Sequence, residues 1–280
     1  MDKLSLEARV KAEIYNFSGK LSLYANDFKG NVVELNSEEK FETASCIKVF
    51  IMAELFRRIH RGEVSPDQLL EYKEEHYVVG SGVLRALDRG VRLTAKDFAT
   101  LMIIVSDNIA TNVLIDFLGA DNINNTCKEL GFKDTVLHNP IDFKKYDRLG
   151  TTTPRDYGSF FEKLYRKELW GEELSRQMLD ILGKQHYNTM LVKELAPYYL
   201  DSEDTGDEEL ISIASKSGSM DACRNDGGLI STPYGSYAIA IFTKEFRDSL
   251  YYSEHESYRF GARVSRLMFD HYISLKGAFR

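Results

Sequence analysis

Apolar residues recur along this chain in two rhythms. Over positions 4–17, Leu4, Leu6, Val10 and Ile14 fall at near-helical spacing, whereas LSLYAND (21–27) and NVVELN (31–36) run like short strands joined by a Lys29-Gly30 turn. A helix and then a hairpin are therefore expected first. From Ser45 to about Ile59 the rhythm turns helical, and helices are likewise predicted at 95–105, 107–118, 121–130, 154–168 and 171–183. The acidic run DSEDTGDEE (201–209) reads as an exposed loop. After it, ISIASKSG, GGLIST and YAIAIFTK regain strand character. A long amphipathic helix from about Glu254 to Leu275 then offers Tyr258, Val264, Leu267, Met268 and Tyr272 for packing.

Strands at both ends around a helical middle predict an α/β fold. One antiparallel sheet assembled from the two termini would be flanked by terminal helices, an α/β sandwich, with an all-helical lobe inserted. The expected organisation is a single domain over 1–280, in which 1–43 and 196–280 form the α/β lobe and 44–195 the helical one.

Composition narrows the partners. The chain has 280 residues, 43% apolar and 28% charged, with a net charge of −7. Its only basic pairs of note are Arg57-Arg58 and Lys144-Lys145, which argues against nucleic acid or an anionic membrane as partner. Apolar runs such as FATLMIIV (98–105) are far shorter than the roughly 18 residues a membrane span needs. The opening MDKLSLEARVKAEI lacks the basic start and apolar stretch of a secretory leader. A cytoplasmic location is expected for the chain as given, and an extracytoplasmic one if a leader was removed. Cys46, Cys127 and Cys223 are too scattered for a disulfide framework and read as buried small hydrophobes. The six histidines show no ligand spacing, so no metal or other cofactor is expected. A monomer acting on a small molecule is the simplest expectation.

Candidate chemistry begins with S-x-x-K, which occurs twice. Ser37 and Lys40 lie in the charged run NSEEK and nothing else marks them as a site. Ser45 precedes the apolar helical run VFIMAELF, which places its hydroxyl at a helix N-terminus where free N–H groups favour developing negative charge. Lys48, three residues on, shares that helix face, so a desolvated amine there would reach the hydroxyl and take its proton. Two further short motifs each have a plain structural reading. Ser106-Asp107-Asn108 between two helical runs reads as a helix cap, and Lys216-Ser217-Gly218 as the end of a strand.

Their order changes this. S-D-N follows S-x-x-K by 61 residues and K-S-G follows by a further 110. The series resembles the penicillin-recognising serine enzymes, with Ser for the usual Thr in the last motif, and most closely the class A beta-lactamases. GSGVLRAL (80–87), TTTPRDYG (151–158), QHYNTML (185–191) and RNDGGLI (224–230) look like that family's segments in their expected order, so the similarity spans roughly residues 4–275.

The resemblance implies a beta-lactamase/transpeptidase-like fold and an acyl-enzyme at Ser45. The N–H groups of Ser45 and Ser219 would hold the oxyanion, Lys48 would be the acylation base, and Ser106 would relay a proton under the influence of Lys216. Asn108 would orient Lys48 and the substrate amide, and Ser217, Lys216 and Arg224 would bind the substrate carboxylate. Gly218 would let its strand approach the acyl group. Tyr77 would edge the cleft or stand half-exposed. The family's loop before the TTP segment carries a glutamate for deacylation, but HNPIDFKKYDRLGTTTP (138–154) has none, and Asp142 and Asp147 are its only carboxylates. Two alternatives to a beta-lactamase follow: a D-alanyl peptidase or esterase, and a sensor or trap that is acylated and stays so.

Overall fold

The computed structural model describes residues 5–195 and 211–273. Its first elements follow the predicted order. Helix α1 (Leu6–Glu13) is capped by the Ser5 hydroxyl, and β1 (Lys20–Asn26) and β2 (Val32–Leu35) form the expected hairpin. The short β3 (Phe41–Glu42) comes next. The helix expected from Ser45 divides here: Ala44–Ile47 form a tight 3-10 turn, and α2 (Lys48–His60) starts at the lysine itself. A small hairpin of β4 (Leu69–Glu71) and β5 (Arg92–Thr94) leads into α3 (Ala95–Ile104), α4 (Asn108–Leu118) and α5 (Ala120–Glu129). Strands β6 (Val136–Leu137) and β7 (Gly150–Thr152) bracket the loop that lacks a glutamate, and α6 (Pro154–Tyr165) and α7 (Glu172–Gly183) follow.

The C-terminal part supplies β8 (Ser212–Ser215), β9 (Gly218–Met220), β10 (Cys223–Thr232), β11 (Gly235–Lys244) and α8 (Glu256–Tyr272). Leu4, the acidic run 201–209 and Leu275 lie outside the described residues.

The main sheet is antiparallel throughout, in the order β2-β1-β11-β10-β8, with β9 continuing beside β10. This is the α/β architecture that the two rhythms predicted. Alternation along β11 shows how its layers are held. Tyr237, Ile239 and Ile241 join Val10, Val264, Met268 and Phe269 beneath α1 and α8, whereas Ala238, Ala240 and Phe242 face Tyr157, Phe160 and Phe161 of α6. A strand buried on both faces loses the polar alternation of a half-exposed one, which is why YAIAIFTK reads as an almost continuous apolar run.

Helix α2 lies inside the helical part, with every residue from Lys48 to Phe56 buried. It therefore buries two ionisable side chains. Glu54 is matched by Arg57, Arg58 and the Thr126 hydroxyl, with contacts of 2.6–3.0 Å, and these hold its carboxyl below the usual range against the opposing effect of burial. Lys48 makes no direct ion pair among the described residues, and the charge of Asp107 acts on it only from further off.

Candidate active site

Several elements converge to hold the turn that carries Ser45. Thr43 N–H donates to Gly150 O (3.0 Å), tying the turn to β7, while Asn225 Nδ2 on β10 donates to Glu42 O (2.8 Å). Ala44 is forced to φ 45°, a left-handed conformation that costs a non-glycine residue on the order of 1–3 kcal/mol and persists only where the surroundings over-determine it. Ser45 itself lines a cleft of about 370 Å³.

Gly218 contributes to this packing through a contact that the sequence does not reveal. A Cβ there would lie 2.7 Å from Thr43 O and 2.8 Å from the backbone nitrogens of Ser45 and Cys46. The missing side chain lets β9 press against the turn that carries Ser45.

The S-D-N motif is both a cap and part of the site. Asp107 is the N-cap of α4 and accepts from Ala110 N through Oδ1 (2.9 Å), while Oδ2 accepts from Val83 N (2.6 Å) and Leu84 N (2.8 Å). One carboxylate thus starts a helix and clamps the GSGVLRAL loop. Gly82 fits under that clamp only without a side chain, having φ +109° and space for a Cβ no better than 2.3 Å from the Asp107 carboxylate. Ser106 is left at φ 52°, again left-handed.

Lys48 Nζ is buried and donates to Ser106 O (2.8 Å), Ser106 Oγ (3.0 Å) and Asn108 Oδ1 (3.0 Å). The contact of Asn108 with Lys48 that the resemblance implies is present, whereas the expected reach of Lys48 to Ser45 is not. A hydrogen bond from Lys48 Nζ to Ser45 Oγ is not found among the described residues, because three acceptors on that turn already match the three donors of an ammonium. Burial, and secondarily the charge of Lys216, push the Lys48 amine well below its ordinary value.

Lys216 is fully buried too, and burial lowers it to about 8. Its Nζ donates to Ser217 O (2.7 Å), and its own carbonyl accepts from the Tyr157 hydroxyl (2.5 Å) and the Cys46 thiol (3.5 Å). The nearby Asp226 carboxyl is raised to about 7 by burial, so it offers only part of a counter-charge near neutrality. All three cysteines are free and buried, as expected.

Ser45, Ser106, Asn108, Lys216, Ser217, Gly218 and Ser219 all line the one cleft. Four other residues weighed for the site stand apart from the cleft. Arg224 is fully buried with its guanidinium donating to the carbonyls of Met220, Cys223, Ser249 and Leu250 and covered by the Tyr251 ring at 4.2 Å, so it does not line the cleft. Asp142 caps its own loop, accepting from Lys144 N (3.0 Å), and Asp147 is exposed; neither borders the cleft. Tyr77 is half-exposed under the Arg89 guanidinium (4.8 Å), also away from it. The other S-x-x-K pair is spent elsewhere, Ser37 on Glu34 and Lys40 on Asp134.

The sequence reading missed Ser81, whose hydroxyl donates to Ser106 O (2.7 Å), although the GSGVLRAL segment holding it had been noticed. It also missed the apolar wall of Ile141, Phe143 and Leu149 and the tyrosines at 187, 251 and 258. Tyr258 had been read as packing, and no spacing signal ties it to motifs that lie near it only in space.

With this geometry in view, comparison with known proteins is direct. The Beta-lactamase2 family, a beta-lactamase enzyme family, matches residues 5–272. Beta-lactamase SME-1 of Serratia marcescens is 28% identical over 106 residues, a match covering 37% of this chain and 36% of that protein's length. The beta-lactamase from Sphaerobacter thermophilus superposes with TM-score 0.84 at 26% identity over 97% of this chain and 98% of that one. PBP-A superposes with TM-score 0.82, also at 26% identity, over 95% of each chain, and a mutant of it is known as an acyl-enzyme complex with penicillin G. A family match that begins at α1 and ends with α8 leaves no element of the described fold outside it, and this chain belongs to the beta-lactamase enzyme family, whose members are hydrolases.

Proposed function

We propose that this protein is a serine hydrolase of the class A beta-lactamase type that opens beta-lactam rings through an acyl-enzyme at Ser45, and that its second step is slow. The observation carrying the first half is the meeting of three distant motifs in one cleft around a buried lysine that, among the described residues, makes no direct ion pair with a carboxylate. A lysine so depressed is neutral over a wider pH range and then has a lone pair to accept the Ser45 proton, with small movements of its side chain. Ser106 Oγ, bonded to Lys48, is positioned to pass a proton to the leaving nitrogen. The N–H groups of Ser45 and Ser219 would hold the oxyanion, each such donor typically contributing about 3 to 4 kcal/mol. Lys216 and Ser217 would attract an anionic substrate group.

The second half rests on composition of the cleft. Among the described residues no Asp or Glu borders it, and the wall that the loop 138–154 presents is Ile141, Phe143 and Leu149. Water entering there would find no strong base, and losing a well-placed general base costs about 10²- to 10⁴-fold in rate. The same observation favours the trap as the second reading, in which acylation is the functional end point.

Incubation with a chromogenic cephalosporin, following both turnover and intact mass, tests this. One equivalent of adduct on Ser45 forming quickly and hydrolysing slowly is expected. Fast multiple turnover without an adduct would sink the slow step. Acylation surviving in Ser45→Ala would sink the mechanism, and cleavage of a D-alanyl peptide or simple ester with no reaction toward the cephalosporin would establish the peptidase alternative.

A further inference from the structure

Among the described residues, the part of the cleft beside Lys216 contains hydroxyls and no guanidinium. Ser217, Ser219 and Tyr258 line it, while Arg224 is buried with its two terminal nitrogens donating to backbone carbonyls. An anion lying against Ser45 must therefore be held there by groups other than arginine.

Tyr258 is well placed for this. It sits in the first turn of α8, its backbone N–H donates to His255 O (3.0 Å), and its ring stands edge-on to the His255 imidazole at 5.9 Å between centroids. A rigid element thus aims its hydroxyl into the cleft, 2.8 Å from Ser219 Oγ. Among the described residues neither hydroxyl has another hydrogen-bond partner. Two hydroxyls that share one hydrogen bond commit one proton to each other and keep the second, which the first bond polarises and strengthens as a donor. A carboxylate is the natural acceptor for it, since hydrogen bonds to an ionised oxygen are roughly twice as strong as neutral ones.

We propose that Tyr258 and Ser219 form a two-hydroxyl relay that binds the substrate carboxylate beside Ser217 and Lys216, making Tyr258 a specificity-determining residue that selects anionic over neutral ligands. This inference rests on the acyl-enzyme reading of Ser45.

The test is the acylation rate of Ser45, followed by mass, for a chromogenic cephalosporin and for its carboxyl methyl ester. In Tyr258→Phe the acid-to-ester rate ratio should fall about tenfold or more, the usual cost of losing one hydrogen bond to a charged group. Ser219→Ala should lower the ratio as well, and the double variant should fall no further than the worse single one, as for two members of one unit. An unchanged ratio in Tyr258→Phe, whether both rates stay the same or fall together, overturns the proposal and leaves Tyr258 a packing residue. Absence of any Ser45 adduct from either compound in the unaltered protein is a separate result, which defeats the acyl-enzyme reading and this inference with it.

Discussion

The two sides of the cleft are built to different standards. On one, the Ser106–Asn108 turn, the 80–84 loop and α2 surround Lys48 with a closed set of hydrogen bonds, down to a glycine fitted under Asp107. On the other, the loop between β6 and β7 presents Ile141, Phe143 and Leu149, and its two aspartates turn elsewhere. In the proposed reaction the first side would supply what acylation needs, a desolvated amine and preorganised dipoles, whereas the second offers, among the described residues, no carboxylate to serve as a base for deacylation. A shared fold therefore does not bring both halves of a two-step reaction with it, because each step depends on particular side chains.

The sharpest break of the comparison is on the built side. Lys48→Ala should lower the acylation rate by about 10²- to 10⁴-fold, the range for loss of a general base. Burst kinetics at Ser45 measure it, and a loss below tenfold would move the base elsewhere. On the unbuilt side, Leu149→Glu places a carboxylate on the cleft wall and should speed loss of the adduct by about 10²-fold with acylation changed only a few-fold. Adduct lifetime by mass spectrometry decides it, and an unchanged lifetime means the wall is not the obstacle.

Gly218→Ala forces a Cβ against the Ser45 turn, so destabilisation of about 1–3 kcal/mol and slower acylation are expected together, read from denaturant melts and burst rates. A milder probe is pH. Lys216 loses its charge as pH rises through about 8, so acylation by an anionic substrate should decline above that point, and a neutral ester should show less of the decline. The smallest effect belongs to Asp142→Asn and Asp147→Asn, each expected to change adduct lifetime less than twofold; a longer lifetime in either would restore that aspartate as the base.

Much of the fold was legible because burial leaves period-dependent traces. The hairpin of β1 and β2, helices α3 to α7 and strand β11 each follow a local rhythm, and those rhythms survive in a single chain. The helix start was not legible to the residue, since a 3-10 turn and an α-helix share the same side-chain pattern over four positions.

Arg224 shows a different limit. Arginine near a K-S-G motif suits an anion, and only the position of the Ser249–Leu250 carbonyls and the Tyr251 ring, from a loop some 25 residues away, determines that its guanidinium is buried away from the cleft. Gly218 has close neighbours that its local sequence does not reveal. Its collision is with Thr43 and Ser45, which lie about 175 residues earlier and meet it only when β9 packs beside the turn.

By itself, then, the sequence determined the element types, the sheet-and-helix architecture and the three motifs, because helix and strand periods and short-range spacing are properties of neighbouring residues. Tertiary structure alone decided that Lys48 bonds to the Ser106–Asn108 turn, that Arg224 is withdrawn, that the wall at Leu149 is apolar and that Tyr258 reaches Ser219. Each of these depends on desolvation and on contacts between residues far apart in the chain, and neither quantity exists until the chain has folded.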